Sequence, residues 1–382
     1  MMLHTLLLLP ALLIFFLVLR MKRPKFRNKF YPKVSVIVWA WESGNVIERR
    51  IKNLLSLDYP NDYEIIIVDN ASKDETAEIC KHFAKKGLIK YYRTKKSWKK
   101  GVGIDKAIKE VAKHDVIAIL DPDGICEKNW LKKMVKPLEK PEVGATIGLI
   151  HAGNFYENLF TKLRAVEDEW NYCISPLSRN FGKKFMLICG AGYVVKREAL
   201  KDVGYHGKKT LGEDFELTTK LYAKGWDVEV VDANLWQEEV SSLAEYERQR
   251  LRWIDNTLGV YALYAKEFLK IVKERGVGFL LFNIFGGLPF FFLLYLILSF
   301  IPPFSLTGVC GMILLLSSLI MGLIKMKKKF LIPYTLLFLL TEPFLVGYCT
   351  AKRELMKMRG KKVKWILLGK KYYHRGVRLI KS

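Results

Sequence analysis

Two aspartates at the end of an apolar run could bind a metal ion. Asp121 and Asp123 flank Pro122 and follow residues 116–120, which are all apolar. Such a run predicts a buried strand, so both carboxylates would emerge where the chain leaves a sheet, and Gly124 lets the backbone turn sharply there. Carboxylate oxygens are the ligands that Mg²⁺ prefers. On its own the pattern is also typical of an ordinary turn, in which aspartates are common.

Two further sets of polar residues lie at defined positions of predicted helices. Glu213 and Asp214 directly precede a helical stretch, a place where acids are also common as ordinary helix N-terminal residues. Gln249, Arg252 and Trp253 are spaced i, i+3 and i+4, so a helix would place them on one face. Arg252 could there stabilise a departing diphosphate, and Trp253 could form a wall of an acceptor site. Without the other motifs, the same spacing is typical of a surface helix with one buried tryptophan.

The elements that must position these residues follow the pattern of an α/β sheet. From Val34 to about Val231, apolar strand-like runs alternate with charged helical stretches. The first five runs span residues 34–38, 64–68, 88–92, 116–120 and 145–150. This alternation predicts a βαβ sheet covered by helices on both faces. Polar residues follow the first two strands, at the edge where open α/β sheets bind ligands.

The N-terminus has the pattern of a membrane anchor. Residues 3–19 contain no charged side chain apart from a possible His4, and they reach the minimum of about 17 residues for a spanning helix. A cleaved signal peptide is the alternative, but it would carry its positive charge before the apolar stretch. Here the basic residues follow that stretch, from Arg20 to Lys33. The positive-inside rule therefore predicts an external N-terminus and a cytoplasmic chain from residue 21.

The C-terminal third predicts one long amphipathic helix or a bent pair of helices, followed by three membrane segments. Residues 242–272 have an apolar stripe that could lie in the membrane interface or simply cover the sheet. The apolar segments span about 277–301, 304–324 and 330–350. Three crossings would leave the basic tail outside, against the positive-inside rule. We therefore expect one segment, most readily 330–350 with its prolines and Glu342, to be re-entrant or interfacial.

Composition narrows the class of partner. The net charge of +25 does not by itself indicate nucleic acid, because no basic face interleaved with aromatics and no nucleic-acid-binding module is present. Much of the positive charge lies beside the apolar segments, where it would meet anionic lipid headgroups. The six cysteines lack the spacing of a metal site, and we assign them no chemical role. A membrane is therefore the expected partner.

Four motifs, taken in order and spacing over residues 32–255, resemble those of the family-2 inverting glycosyltransferases, which have the GT-A fold. They are the polar loops after the early strands, Asp-x-Asp, Glu-Asp and Gln-x-x-Arg-Trp. The last motif is similar to that of membrane members such as cellulose and hyaluronan synthases, and the C-terminal tail resembles that of ceramide glucosyltransferase. The resemblance implies an α/β GT-A (Rossmann-like) domain with added transmembrane helices.

The resemblance also implies a role for each site residue. The donor would be bound by Ala40, Trp41, Glu42, Asp69, Lys100 and Asp121. Asp121 and Asp123 would hold Mg²⁺ or Mn²⁺, which neutralises a diphosphate. Asp214 would be the general base, oriented by Glu213. The acceptor and leaving group would meet Gly190, Gln249, Arg252 and Trp253.

We therefore expect a membrane-bound inverting glycosyltransferase that uses a UDP- or GDP-linked sugar and a lipid-linked acceptor, with no nucleic acid. Its parts would be an anchor at 1–20, a cytoplasmic catalytic domain at 32–240, interface helices at 241–276, membrane segments at 277–350 and a basic cytoplasmic tail at 351–382. The plasma membrane of a prokaryote is the expected location. A processive polysaccharide synthase is one alternative. A non-catalytic membrane scaffold with a degenerate donor site is another.

Overall fold

The computed structural model describes residues 2–207, 210 and 212–361. Residue 211, two positions before Glu213, lies outside the described residues. So do residues 362–382, which form most of the expected basic tail.

One mixed sheet of eight strands forms the centre of the domain between residues 34 and 237. The strands are β1 (Val34–Ala40), β2 (Tyr63–Asp69), β3 (Lys90–Arg93), β4 (Val116–Leu120), β5 (Ile125–Cys126), β6 (Val143–Ala152), β7 (Gly192–Lys196) and β8 (Asp227–Gln237). Their spatial order is β3-β2-β1-β4-β7-β6-β8-β5. Strands β3, β2, β1 and β4 are parallel, whereas β7 is antiparallel to both of its neighbours. The predicted α/β fold is confirmed.

Helices cover both faces of this sheet and continue into the C-terminal third. They are α1 (Met2–Arg20), α2 (Gly44–Leu55), α3 (Thr76–Lys85), α4 (Lys100–Glu110), α5 (Trp130–Met134), α6 (Leu159–Asp168), α7 (Ser175–Ser178), α8 (Arg197–Asp202), α9 (Glu213–Ala223), α10 (Leu243–Leu263), α11 (Ala265–Gly286), α12 (Leu288–Ser299), α13 (Ser305–Lys325) and α14 (Thr335–Met358). A π-helical turn at Glu169–Ile174 joins α6 to α7.

Alternation along the central strands divides the core into two layers. In β1, Val36 and Val38 pack with α2 and α3, while Ile37 and Trp39 face the opposite layer with α4. All seven residues of β1 are buried, as expected of a parallel strand covered on both faces. The layer that contains Ile37 also includes side chains of α1, α11, α12 and α13, so the membrane-type helices share a continuous core with the sheet.

Three helices among the described residues are long and apolar enough to cross a membrane. They are Met2–Arg20, Ser305–Lys325 and the segment Lys329–Met358; a fourth span is possible if α11 and α12 act as one. The predicted apolar segment 277–301 contains the end of α11 and all of α12, and these two helices are bent by 65° at Gly287. The predicted amphipathic stretch 242–272 is divided at Tyr264 into α10 and α11.

Candidate active site

The carboxyl ends of three parallel strands bring the sequence motifs to one edge of the sheet. Strands β1, β2 and β4 end at Ala40, Asp69 and Leu120. Strand β7 runs the other way beside β4, with Gly192 opposite Leu120, so the chain just before β7 starts at the same edge. The backbone N–H of Asp121 donates to the carbonyl of Ala191 at 3.1 Å. This edge therefore gathers residues from distant parts of the chain.

Lys100 joins three of the predicted site segments. Its Nζ lies 2.7 Å from Oδ1 of Asp121, 3.3 Å from Oε1 of Glu213 and 3.0 Å from the carbonyl oxygen of Gly190. Lys100 is the first residue of α4, and Glu213 is the first residue of α9. The structure thus brings together residues separated by more than a hundred positions in the sequence.

Asp214 completes this cluster through the glycine turn. The backbone N–H of Gly190 donates to Oδ2 of Asp214 at 2.9 Å, and the N–H of Phe215 donates to Oδ1 at 2.8 Å. A Cβ atom on Gly190 would lie 3.0 Å from Nζ of Lys100 and 3.2 Å from Oδ2 of Asp214. Residue 190 must therefore be small for Asp214 and Lys100 to approach the same point.

The charges of the cluster alter its titration. Burial by itself would lower the pKa of Lys100, but the nearby charges of Asp121 and Glu213 outweigh burial and raise that pKa above its ordinary value. Burial raises the pKa of Glu213, the charge of Lys100 opposes this effect, and the charge of Asp214 adds to it. Lys100 is therefore a permanent cation among carboxylates. Glu213 is the acid of this cluster whose environment favours the proton.

The Asp-x-Asp turn leaves the sheet beside α2. Asp123 is buried, with 7% of its surface exposed, and its carbonyl accepts a hydrogen bond from Arg49 at 3.0 Å. Arg50 donates to the next carbonyl, that of Gly124, at 2.8 Å. Two arginines of one helix therefore fix the backbone of the turn. Asp121, at the start of the turn, faces Lys100 as described above.

The loop after β1 is bonded to the loop after β2. The N–H of Glu42 donates to Oγ of Ser72 at 3.0 Å, and Oε1 of Glu42 accepts from the N–H of Lys73 at 2.8 Å. Glu42 has a φ of +48°, a conformation that is uncommon for a residue with a side chain. Trp41 is half-buried in this loop. Ala40 accepts from the N–H of Asn70 at 2.8 Å, which ties the two strand ends together.

Asp69 lies at the end of β2, as the sequence predicts, and its carboxylate is engaged by neighbouring donors. The side chain is fully buried and accepts from Tyr91 at 2.6 Å, from Arg93 at 2.9 Å and from the N–H of Ser72 at 2.9 Å. These three donors come from β3 and from the loop after β2. Asp69 therefore holds that loop against β3.

Helix α10 passes beside the segment that carries the acids. A Cβ atom on Gly212 would lie 3.1 Å from Cβ of Asn256, so α10 packs closely on the residue before Glu213. Arg252 lies one turn before Asn256, and Gln249 lies a further turn away on the same side of the helix. Arg252 is half-buried and has no polar partner among residues 2–207, 210 and 212–361. Its guanidinium is thus available on the face that approaches the acids.

The other arginine of the motif has a structural role. Arg250 forms an ion pair with Glu167, and its guanidinium lies 4.6 Å from the ring centroid of Trp253 and 4.9 Å from that of Tyr246. Trp253 is therefore held by a cation–π contact. Gln249 is 9% exposed, and its Oε1 is buried with no hydrogen-bond partner within the described ranges.

Comparison with known proteins identifies the family. Residues 35–204 match the model of "Glycosyl transferase family 2". The probable glycosyltransferase YdaM of Bacillus subtilis is 30% identical over 278 residues, which cover 70% of this chain and 66% of that protein. The chain belongs to glycosyl transferase family 2. The beta-monoglucosyldiacylglycerol synthase of Nostoc is 29% identical over 253 residues, or 64% of this chain and 52% of that protein. The family 2 chain thus spans about half to two thirds of the length of these curated relatives.

A solved structure agrees with the family fold. The mannosyltransferase PcManGT from Pyrobaculum calidifontis, in complex with GDP-Man and Mn²⁺, aligns with 84% of this chain and 95% of its own, with a TM-score of 0.53 and 19% identity. The family 2 domain therefore has the GT-A architecture that the motifs implied.

One buried group beside the family 2 site could not be found from the sequence. Nδ1 of His206 lies 2.5 Å from Oδ1 of Asp105, and its Nε2 lies 2.5 Å from the hydroxyl of Tyr193. A Cβ atom on Gly101, beside Lys100, would lie 3.0 Å from Cβ of His206. His206 therefore links α4, through Asp105, to β7, through Tyr193. Tyr193 is an ordinary strand residue in the sequence, and no local pattern marks it.

Proposed function

We propose that this chain is a membrane-bound inverting glycosyltransferase that transfers a sugar from a nucleoside diphosphate sugar to a lipid-linked hydroxyl or phosphate. The observation that carries the proposal is the convergence of Lys100, Asp121, Glu213 and Asp214 around Gly190, at the carboxyl edge of the sheet. Such an edge is where open α/β sheets bind ligands. Membership of family 2 supports sugar transfer as the reaction.

Asp214 acts as the general base. Each of its oxygens accepts one backbone N–H, from Gly190 and Phe215, which fixes the orientation of the carboxylate. A carboxylate oxygen has a second lone pair, so Asp214 can still accept the proton of an incoming acceptor hydroxyl. As the oxygen of the acceptor hydroxyl attacks the anomeric carbon, the bond between that carbon and the diphosphate breaks. A single displacement of this kind inverts the configuration of the anomeric carbon.

The acids at the sheet edge fit a hard divalent cation. Asp121 and Asp123 offer carboxylate oxygens, which suit Mg²⁺ or Mn²⁺ better than softer metals. The solved mannosyltransferase with the same fold contains Mn²⁺. We propose that these two aspartates hold such an ion, which would neutralise charge on the donor diphosphate when bound.

Cationic side chains stabilise the leaving group from two sides. Lys100 is already charged among the acids, and Arg252 has a guanidinium without a polar partner in the described parts of the chain, on the face of α10 that approaches Gly212. Both cations would stabilise the negative charge that develops on the departing nucleoside diphosphate. The half-buried Trp41 and the loop around Glu42 form the wall on the donor side.

A lipid acceptor is supported by the membrane-type helices and by relatives. One relative is named for making monoglucosyldiacylglycerol, and the core layer beneath the site is continuous with α1, α11, α12 and α13. The basic residues after α1 support a cytoplasmic catalytic domain by the positive-inside rule. Other relatives are poly-beta-1,6-N-acetyl-D-glucosamine synthases, 24% identical, so a polymer remains the second candidate product.

The experiment is a screen of labelled UDP- and GDP-sugars against lipid extracts, with and without Mn²⁺, using membranes that contain the chain. We expect one labelled product that migrates as a glycolipid on thin-layer chromatography. A ladder of long products would favour the polymer synthase. Absence of transfer from every donor in membranes with folded protein would contradict the proposed activity.

A further inference from the structure

The segment from Lys328 to Met358 contacts the catalytic domain along most of its length. Before α14, Lys328 lies 3.4 Å from Glu169, and the Phe330 ring lies 4.6 Å from that of Phe155. Just before the first residue of α14, the Tyr334 ring lies 5.3 Å from the ammonium of Lys162. The entry to α14 is thus docked on the loop after β6, on α6 and on the π-helical turn.

The middle of α14 is docked as well. Glu342 is 5% exposed, and its Oε2 accepts from Arg164 of α6 at 3.0 Å. Its Oε1 accepts from the hydroxyl of Tyr246 of α10 at 2.9 Å. A carboxylate near the centre of a lipid-embedded helix is costly unless it is paired. Here both partners belong to the catalytic half of the molecule.

The end of α14 returns to the same helix, α10. Tyr348 and Lys352 contact Glu247 at 2.9 Å and 2.6 Å, and Arg353 lies 2.8 Å from Asp255. The partner residue on α10 advances from 246 to 255 while the residue on α14 advances from 342 to 353. The two helices therefore contact each other from Glu342 to Arg353 of α14.

This arrangement is incompatible with a crossing. From residue 335 to residue 353 the helix advances about 27 Å at 1.5 Å per residue, close to the thickness of about 30 Å of a bilayer core. A spanning helix would carry Arg353 that far from the domain that Tyr334 contacts. Instead, the entry and the middle of α14 contact α6, and its end contacts Asp255 of α10. The next residue of α10, Asn256, packs on Gly212 of the catalytic domain, so the end of α14 stays beside that domain.

Helix α13 shows the contrast. Near its start, Thr307 lies 2.7 Å from His4 of α1, and a Cβ atom on Gly308 would collide with the backbone of α12. At its end, Lys325 donates to the carbonyl of Val18 at 3.1 Å, close to Ile174 of the catalytic domain, which touches Gly322. Helices α1 and α13 thus run parallel, and α13 approaches the catalytic domain only at its last turns.

The outer side of α14 suits a lipid surface. Leu337, Phe344 and Leu355 are 38%, 64% and 52% exposed, and spacings of seven and eleven residues place them on one side of the helix. Lys357 and Arg359 follow at the C-terminal end. An apolar stripe bordered by cations is typical of a helix that lies in the membrane interface.

We propose that α14 lies in the membrane interface as a brace for α10 and does not cross the bilayer, so that Met358 stays on the same side as the catalytic domain. The inference rests on these contacts and not on the proposed sugar transfer. The chain then crosses with α1, with the bent pair α11 and α12, and with α13.

The first test is cysteine labelling in sealed vesicles of known orientation with a membrane-impermeant maleimide. Met358→Cys is compared with Leu88→Cys in the catalytic domain and with Leu306→Cys at the start of α13, residues that are 83%, 43% and 75% exposed. The wild-type chain gives the background. We expect Met358→Cys to be labelled in the same preparation as Leu88→Cys. Labelling of Met358→Cys only from the opposite side would overturn the proposal.

A depth measurement provides a second, independent test. Nitroxide labels at Phe344 in α14 and at Ile313 in α13, both well exposed near the middle of their helices, are compared by oxygen and nickel accessibility in nanodiscs. The proposal expects the label at position 344 to be near the headgroups and the label at position 313 to be deep. Equal depth of the two labels would show that α14 spans the membrane.

Discussion

Lys100 is the residue on which the geometry of the site depends. It contacts Asp121 and Glu213 at once and lies 3.0 Å from the carbonyl oxygen of Gly190. Without its charge, the acids at the sheet edge would repel one another and the incoming diphosphate. A hydrogen bond to a charged group contributes about 1.5–3 kcal/mol, which corresponds to roughly 10- to 150-fold in an equilibrium constant.

We therefore expect Lys100→Met to lower kcat/KM for the donor by about that factor. The matched control is Lys96→Met, which removes an exposed lysine of the same basic segment. Steady-state kinetics with the identified donor measures both variants. Equal kinetics for the two variants would show that Lys100 has no part in donor binding.

A second residue prediction concerns a buried pair of acids below the Gln-x-x-Arg-Trp helix. Burial, followed by the charge of Glu239, raises the pKa of Asp168 well above its ordinary value. The folded state therefore binds more protons than the unfolded chain, whose aspartate titrates near a pKa of about 3.9. The protonated Asp168 therefore contributes its full stability below the unfolded pKa. This contribution is lost as the pH rises from the unfolded pKa through the folded pKa.

We expect Asp168→Asn, which keeps the shape and a hydrogen-bond donor, to weaken this loss of stability as the pH rises above the unfolded pKa of about 3.9. Thermal unfolding of the purified protein at increasing pH measures the effect. The control is Asp202→Asn at a half-exposed position. A profile for Asp168→Asn that is parallel to the wild-type profile would contradict the raised pKa.

The sequence could predict the position in the site for some residues and not for others. Asp121, Glu213, Asp214, Gly190 and Lys100 belong to motifs whose order and spacing are visible, and the structure brings them together. His206 contacts Asp105 from 101 positions away, and that pairing is set by tertiary packing alone. Asp69 has the predicted location, but its carboxylate is occupied by Tyr91 and Arg93, donors that no local pattern could assign.

At the scale of elements, α14 stabilises the helix that carries Arg252. Breaking a buried ion pair by removing one partner costs about 3–5 kcal/mol when the other charge is left unpaired. Glu342→Ala removes the acceptor of the Tyr246 hydroxyl and one of two carboxylates that pair with Arg164, which keeps Glu167. We expect a clear fall in unfolding temperature in detergent, toward the lower end of that range, together with a lower kcat.

The matched control is Glu354→Ala on the same helix, whose side chain is 51% exposed. Its partner Arg353 keeps an ion pair with Asp255 when Glu354 is removed, so the unfolding temperature of Glu354→Ala should be close to that of the wild type. Equal melting of Glu342→Ala and Glu354→Ala would refute the bracing role of Glu342.

Elements were predictable where one type of periodicity dominated. Residues 116–120 form a continuous apolar run, and the structure has β4 at Val116–Leu120. Strand β5 has only two residues, too few to show a period. For the segment 330–350, apolar length argues for a span while Glu342 and the tail charges argue against it, so only contacts with α6 and α10 can decide. The bend at Gly287 does have a local signal, because Gly286 and Gly287 are followed by Pro289 in the first turn of α12.

At the scale of the whole molecule, the donor site should couple to folding. A ligand that binds only the folded state stabilises it by about 2.7 kcal/mol at a hundredfold excess over Kd. We expect UDP or GDP with Mn²⁺ to raise the unfolding temperature, and EDTA to remove most of that rise. No response to any nucleoside diphosphate would favour the scaffold alternative, in which the family fold is kept without a working donor site.

The most direct test of the account is sugar transfer by Asp214→Asn, because asparagine preserves the size of the side chain and cannot accept the acceptor proton as a carboxylate does. General base catalysis contributes about 10²- to 10⁴-fold, so transfer to lipid should fall by at least that range while donor-induced thermal stabilisation is retained. Turnover near the wild-type rate, with the same glycolipid product, would contradict the assignment of the base and with it the proposed mechanism.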